Sequence, residues 1–175
     1  MATISTHLSA DRLDRLRMYF DRWAGPIVAV IYLRDVAREQ PAVDRLVKSL
    51  RAKRRRNFLL IAAAARDPGL YPANLLRNLA LAPVETELVF FLDVDLIPDP
   101  GFYAYLAGRG DELRAMAETR VFTVPAFQVT SPLEADLPVD QADLEELMGR
   151  GAARPILSGK GEFWEAFSCL NYDRW

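Results

Sequence analysis

Apolar positions recur along the chain in two patterns, continuous runs and helical stripes. The run Ile27–Leu33 is apolar, rich in β-branched residues and free of charge, which is typical of a strand buried on both faces. Similar runs predict strands over residues 2–6, 57–64 and 87–92. A fifth strand is predicted over residues 121–129, and Pro125 within it indicates a bulge or a sheet edge.

The segments between these runs have a helical period. Ser9 is a candidate N-cap for a first helix, which Gly25 and Pro26 end. Pro41 is predicted to open a second helix, and Asp140 to cap a helix that continues to Met148. The positions predicted to face the core are Leu13, Leu16, Phe20, Trp23, Val43, Leu46, Val47, Leu50, Leu75, Leu76 and Leu79.

Helices that alternate with buried strands indicate an α/β fold with a mainly parallel sheet and flanking helices, in a single domain over residues 1–175. Ligands of such sheets bind beyond the carboxyl ends of the strands. The places to search are therefore the end of the first strand at Thr6 and His7, the end of the fourth at Asp93 and Asp95, and the turn into the helix over residues 71–81.

Composition narrows the class of protein. The 175 residues carry a formal net charge of -2, with one cysteine and one histidine. These counts exclude an intrachain disulfide and a multi-histidine metal site. The acidic balance argues against a nucleic-acid partner. The sequence lacks both the ~18 consecutive apolar residues of a membrane span and the features of a signal peptide, so no export signal or anchor is expected in this chain.

The sequence Asp93-Val94-Asp95 follows an apolar strand and precedes a proline-rich loop. Two neighbouring carboxylates suit a hard divalent cation such as Mg²⁺ or Mn²⁺, which could neutralise a diphosphate leaving group. A phosphatase with Asp93 as nucleophile is the alternative. Ile97, where such phosphatases usually have Thr or Val, and the three strands that come before weigh against the phosphatase.

A second polar group lies on the helix predicted after Pro72. Asn74, Arg77 and Asn78 are spaced to share one face. A guanidinium near the start of a helix suits a phosphate or a carboxylate, and a solvated polar face is the alternative. The basic run over residues 53–56 is interpreted as a solvated helix end.

Several segments occur in an order that resembles glycosyltransferase family 49. They are Thr6-His7-Leu8-Ser9 before Asp11-Arg12-Leu13, Gly25-Pro26-Ile27 before an apolar strand, Tyr71-Pro72 with Leu76 to Ala80, Phe91 to Asp95, and Asn171-Tyr172-Asp173-Arg174-Trp175. This family includes glucuronyltransferases that act on the dystroglycan glycan. The resemblance extends over nearly the whole chain.

The resemblance implies a GT-A-like nucleotide-sugar fold and an inverting, Mn²⁺-dependent (or Mg²⁺-dependent) transfer from a UDP-sugar, such as UDP-glucuronic acid, to a glycan acceptor. By this resemblance, Asp95 would bind the metal directly, and Asp93 would hold the ribose or the water shell of the metal. Thr6 and His7 would border the nucleobase. The donor-binding set is Thr6, His7, Arg77, Asn78, Asp93 and Val94, with Asp93 and Asp95 as the metal set.

The resemblance also sets an expectation about what the chain lacks. Catalytic domains of the family continue past the motif that ends here at Trp175. The later part supplies the acceptor-binding half, a metal-binding histidine and the general base. The chain is therefore expected to be the donor-binding portion, with no catalytic base identified, and a UDP-binding fragment without catalysis is the alternative. Family members are typically anchored in the Golgi.

Overall fold

The computed structural model describes residues 1–117, 119–130 and 137–156. The chain forms two compact units, Met1–Met116 and Ala117–Trp175. In chain order the strands are β1 (Ala2–Ser9), β2 (Ile27–Leu33), β3 (Phe58–Ala64), β4 (Leu88–Phe91), β5 (Phe127–Val129) and β6 (Ala153–Pro155). The helices are α1 (Leu13–Arg22), α2 (Val36–Ala52), α3 (Ala73–Leu81), α4 (Phe102–Gly108), α5 (Gly110–Ala117) and α6 (Gln141–Gly149), and a 3₁₀ turn covers Ala10–Arg12.

The first unit is built on a parallel sheet of four strands in the order β3-β2-β1-β4. This confirms the predicted α/β class and the mainly parallel sheet. The central strand β1 is longer than predicted, because its pairing with β2 continues as far as Ser9 and Tyr32. Thr6 and His7 therefore lie inside the strand rather than at its end, which corrects their expected position.

One face of the sheet packs on α1 and α2. Strand β2 is buried along its whole length, as its apolar run predicts. The helix residues predicted for this core are buried apart from Val47, which is half-buried. Buried residues that share this core include Ile4, Leu8, Leu13, Leu16, Tyr19, Phe20, Trp23, Ile27, Ile31, Leu46 and Leu50.

The opposite face packs on α3, and here the predicted orientation is partly wrong. Leu76 and Ala80 are buried against Val30 and Tyr32, whereas Leu75 is 57% exposed and Leu79 is 38% exposed. The helix is turned so that its half-buried positions include Arg77. The helix therefore packs on the sheet through Leu76 and Ala80, and the charged side chain of Arg77 is half-buried beside them.

Helix α2 starts earlier than Pro41, which lies inside it. The backbone N–H of Arg38 donates to Asp35 Oδ1 at 3.1 Å, and the N–H of Arg34 donates to Glu39 Oε2 at 2.7 Å. These side chains satisfy amide groups that have no partner at a helix start. The prediction that Pro41 opens the helix is wrong, because the Asp35 cap, six residues earlier, already provides the start.

The second unit contains an antiparallel pair, β5 with β6, and helix α6. Asp140 caps α6 by accepting from the N–H of Asp143 at 2.9 Å, as predicted. Strand β5 covers only the last three residues of the predicted strand over 121–129, and Pro125 lies before it. The Asn171–Trp175 motif falls outside the described residues. Among the helices that are described, none combines the length and apolar character needed to cross a membrane.

The core on α1 gives a direct test of the packing. Leu16 is fully buried, so Leu16→Ala should lower the free energy of unfolding by about 2–5 kcal/mol. Leu75→Ala is the matched control, and because Leu75 is exposed it should change that free energy by less than about 0.5 kcal/mol. Urea unfolding of both variants measures the difference, and equal losses would contradict the packing.

Candidate functional site

The candidate site lies at the carboxyl edge of the parallel sheet, where β4 ends. The last ladder contact is the N–H of Leu92, which donates to the carbonyl of Ser5 at 3.2 Å. The chain then turns, and the N–H of Leu96 donates to the carbonyl of Asp93 at 2.9 Å. Asp93 and Asp95 therefore occupy a tight turn, so strand alternation does not set the directions of their side chains.

Tyr19 of α1 holds this turn in place through hydrogen bonds from the helix side. Its side chain is fully buried, and its hydroxyl lies 2.7 Å from the carbonyl of Asp93 and 2.9 Å from that of Leu96. Burial raises the pKa of Tyr19 far above its usual range, a hydrogen bond with Thr6 lowers it, and the charges of Asp93 and Asp95 raise it further. The hydroxyl thus stays protonated and shares its one proton between two turn carbonyls.

An arginine contacts each of the two carboxylates. Arg77 of α3 lies 3.4 Å from Asp93 Oδ1, and Arg12 of the 3₁₀ turn lies 2.9 Å from Asp95 Oδ1. The carboxylate side chains are 62% and 60% exposed. Exposed ion pairs contribute about 0–1 kcal/mol to stability. These arginines can therefore be redirected to an anionic ligand at small cost.

His7 joins the site from the α3 face of β1. Its Nδ1 lies 2.8 Å from the hydroxyl of Tyr71, and its side chain is 9% exposed. Burial lowers the pKa of His7, Arg77 lowers it further, and Asp93 opposes them. Burial likewise raises the pKa of Tyr71, and Asp93 and Asp11 add to that rise. The imidazole is therefore neutral at pH 7, close to both members of the Arg77–Asp93 pair.

Tyr71 itself is held by a second buried tyrosine. The ring of Tyr32 meets that of Tyr71 edge to face, with centroids 5.4 Å apart. The Tyr32 hydroxyl donates to the carbonyls of Asp67, at 3.1 Å, and Leu70, at 2.8 Å. The loop that leads into α3 is thus tied to β2 in the same manner as the aspartate turn is tied to α1.

The structure separates some residues that the sequence groups together. Thr6 and His7 are neighbours in a strand, so their side chains point to opposite faces of the sheet. Thr6 contacts Tyr19 in the α1 core, whereas His7 faces Tyr71. Only His7 therefore presents its side chain on the face that carries α3 and Arg77.

Two further predicted donor-binding residues have different surroundings. The side chain of Val94 is buried in the α1 core, so a ligand could meet only its backbone. Asn78 is exposed on α3. Among the described residues no hydrogen bond joins its side chain to Asp93 or Asp95, and a role in binding remains a prediction for both residues.

The structure adds Arg12 and Tyr19 to the site, and it gives a partner to Tyr71. Arg12 could have been inferred from its place just after β1, because that strand also ends at this edge of the sheet. Tyr19 gave no such signal, since it lies on the buried face of an amphipathic helix, where an aromatic residue is ordinary. The contact between Tyr71 and His7 likewise could not be predicted from the sequence.

The described residues contain no group of three or more His, Cys, Asp or Glu side chains placed to hold a metal ion. Asp93 and Asp95 supply two carboxylates open to solvent. This donor set fits a hard divalent cation that takes its other ligands from water and from phosphate oxygens, as Mg²⁺ usually does in sites that bind phosphorylated substrates.

Comparison with known proteins identifies the family. The family model described as "Glycosyl-transferase for dystroglycan" matches residues 45–175. The chain belongs to this glycosyltransferase family. Membership agrees with the parallel α/β sheet, which is that of a GT-A-like transferase, and it favours a transferase over a phosphatase with Asp93 as nucleophile.

Named relatives match most or nearly all of the chain but are much longer. The chain is 31% identical over 175 residues to xylosyl- and glucuronyltransferase LARGE2 of Rattus norvegicus, covering 99% of this chain and 25% of the relative. It is 30% identical to LARGE1 of Homo sapiens, covering 99% and 22%, and 31% identical over 150 residues to LARGE2s of Gallus gallus, covering 86% and 20%. The chain thus spans about a fifth to a quarter of the length of these curated relatives.

The hydroxyl of Tyr19 can be tested by removing that atom alone. Tyr19→Phe leaves the two turn carbonyls without their buried donor and should lower the free energy of unfolding by about 1–3 kcal/mol. Tyr105→Phe is the control, because Tyr105 is 52% exposed and its hydroxyl contacts an exposed arginine. Urea unfolding should separate the two variants, and equal stability would refute the buried tie.

The environment of His7 predicts a pH dependence of stability. Its pKa in the folded chain is below 6.5, the usual value for histidine, so the unfolded chain takes up a proton at higher pH than the folded one. The free energy of unfolding should therefore fall as the pH falls through 6.5 toward the folded pKa, and then level off.

The chain has one histidine, so its proton signals can be assigned without ambiguity. An NMR titration of His7 should give a pKa under 6.5. The variant His7→Gln should lack the fall in stability that the wild-type chain shows below about pH 6.5. A titration midpoint above that of a free histidine would show that the site stabilises the imidazolium, contrary to this account.

Proposed function

We propose that this chain forms the donor-binding part of a glycosyltransferase that transfers a sugar, of the glucuronic acid type, from UDP to a glycan acceptor. The main support for this proposal is the Asp93–Leu96 turn. There two carboxylates and two arginines lie together at the carboxyl ends of a parallel sheet, in a chain that belongs to this family. Diphosphate groups bind at such edges in other α/β proteins.

The carboxylates are the groups proposed to hold a divalent cation. Asp95 would be the direct ligand, and Asp93 would hold the water shell of the metal or the ribose. Mn²⁺, or Mg²⁺ in its place, would neutralise charge on the diphosphate and so stabilise UDP as a leaving group. The carboxylates need no large rearrangement to accept a cation, because both are exposed and paired only through weak surface contacts.

The arginines are proposed to bind the diphosphate directly. Guanidinium groups match phosphate oxygens with paired N–H donors. Arg77 is held over the ring of Phe91 at 5.8 Å while its Nη2 reaches toward Asp93. A phosphate beside that carboxylate would therefore lie within reach of Arg77 without movement of α3.

The neutral His7 and Tyr71 are proposed to line the nucleoside end of the site. Tyr71 is 38% exposed, so part of its ring is open to a ligand. An aromatic face can stack on a uracil ring, and a neutral imidazole avoids repulsion from Arg77. Thr6 would act from the other face of β1, through its contact with Tyr19 below the aspartate turn.

The test measures UDP binding by calorimetry with and without Mn²⁺. Wild-type chain should bind UDP in a Mn²⁺-dependent manner. Asp95→Asn should weaken that binding by at least about tenfold, since removing even an outer partner of a metal site costs about 10–100-fold. Asp14→Asn is the matched control on an exposed helix residue and should bind as wild type.

Two outcomes would contradict the proposal. One is wild-type chain that shows no affinity for UDP in the presence of Mn²⁺. The other is an Asp95→Asn variant that binds UDP as tightly as wild type. A transfer assay with UDP-glucuronic acid then separates a complete transferase from a domain that binds the donor without catalysis.

A further inference from the structure

A strongly basic surface lies at the amino end of strand β3, in the segment that joins α2 to β3. Residues 48–56 carry six cations and no acidic side chain, in a chain whose net charge is -2. We call this surface the basic edge; it comprises Lys48, Arg51, Lys53, Arg54, Arg55 and Arg56. Parallel strands all run in one direction, so the aspartate turn lies at the carboxyl ends of the strands and the basic edge at their amino ends. The two ends of the seven-residue strand β3 are roughly 20 Å apart.

Part of the basic edge has a structural role. Arg55 Nη2 donates to the carbonyls of Trp23, at 2.6 Å, and Gly25, at 2.8 Å, and Lys53 lies 3.0 Å from Asp21. Lys48, Arg51, Arg54 and Arg56 form no ion pair with any described acidic residue. Within the part of the chain that the structure describes, these four charges therefore serve no contact that holds the fold together.

Two of these four cations, together with Arg55, lie around a depression in the surface. Arg51, Arg55, Arg56 and Phe58 line a depression of about 490 Å³. Arg55 also has a buried Nε for which the described residues offer no hydrogen-bond partner. Three guanidinium groups around one depression suit an anion that has planar oxygen pairs, such as a carboxylate, sulfate or phosphate.

The backbone at this edge favours glycine, yet carries an arginine. Arg54 has φ of 59°. Its N–H donates to the carbonyl of Arg51, and the N–H of Arg55 donates to that of Leu50, each at 3.0 Å. This is the closing pattern of a helix whose left-handed residue is usually glycine. Arg54 therefore adopts a strained, left-handed backbone conformation within the run of basic residues.

We propose that the basic edge binds an acidic polysaccharide, through carboxylates spaced along the glycan. A duplex nucleic acid is disfavoured by the net charge of -2. A single strand would need exposed aromatic side chains for its bases, and Phe58, half-buried, is the only aromatic among the residues that line the depression. A membrane surface would need a cluster of apolar anchors beside the charges, whereas Leu59, 43% exposed, is the one large apolar side chain that is exposed within residues 48–60. The preference for a glycan over other polyanions rests on the proposed function.

The test uses an octasaccharide of alternating glucuronate and N-acetylglucosamine, its carboxyl-reduced neutral form, and a single-stranded oligonucleotide of equal charge. Binding to the full chain is measured by calorimetry between about 50 and about 200 mM salt. The octasaccharide should bind and weaken with salt, and the neutral form should not bind. Arg51→Glu combined with Arg56→Glu should weaken binding by at least about tenfold and reduce the salt dependence.

Two variants keep the test specific. Arg38→Glu with Arg45→Glu makes the same charge change elsewhere on α2, at exposed positions, and should leave affinity for the octasaccharide within about twofold of wild type. Arg54→Gly should weaken octasaccharide binding while raising the midpoint of urea unfolding, because it removes the strained side chain. A loss of binding through misfolding would instead lower that midpoint.

Three results would overturn the basic edge as a glycan site: no binding of the octasaccharide by wild-type chain, equal loss in the two charge-reversal pairs, or tighter binding of the oligonucleotide than of the octasaccharide. UDP binding is measured on the same samples. The Arg51→Glu, Arg56→Glu variant should keep wild-type UDP affinity, so failure of UDP binding would overturn the proposed function alone.

Discussion

The candidate site depends on one buried proton. The hydroxyl of Tyr19 lies within hydrogen-bond distance of two carbonyls of the Asp93–Leu96 turn, and burial keeps it protonated. A turn that leaves a strand has no sheet partner to hold it, so a hydrogen bond from a buried donor to its carbonyls stabilises it. The tyrosine satisfies both carbonyls and ties the turn to a helix that is itself packed by Leu13, Leu16 and Phe20. The carboxylates are thus exposed while their backbone is fixed.

The same arrangement recurs on the other face of the sheet. Tyr32 donates to two carbonyls of the loop before α3, and that loop delivers Tyr71 to His7. Two tyrosines from the packed core therefore fix the two loops that carry the site. By contrast, the ion pairs of Arg12 and Arg77 are exposed and weak. A rigid backbone with loosely held charges is suited to exchanging internal ion pairs for a charged ligand.

Much of the fold could be predicted from local patterns. The run Ile27–Leu33 could only be a buried strand, and the position of Asp93 and Asp95 at the carboxyl edge followed from strand alternating with helix. The orientation of α3 could not be predicted, because three leucines gave a plausible core face, whereas the sheet surface selects Leu76 and Ala80. The tie from Tyr19 to Asp93 spans 74 residues of sequence and has no local signature.

The turn held by Tyr19 is proposed to receive a cation and the diphosphate of UDP. A crystal structure of the chain grown with UDP and Mn²⁺ tests it most directly, with anomalous scattering to locate the metal. We expect one manganese peak at the carboxylates of Asp93 and Asp95, with the diphosphate beside it and Arg77 turned toward a phosphate. Density for UDP at any other edge of the sheet, with no metal at these two residues, would contradict it.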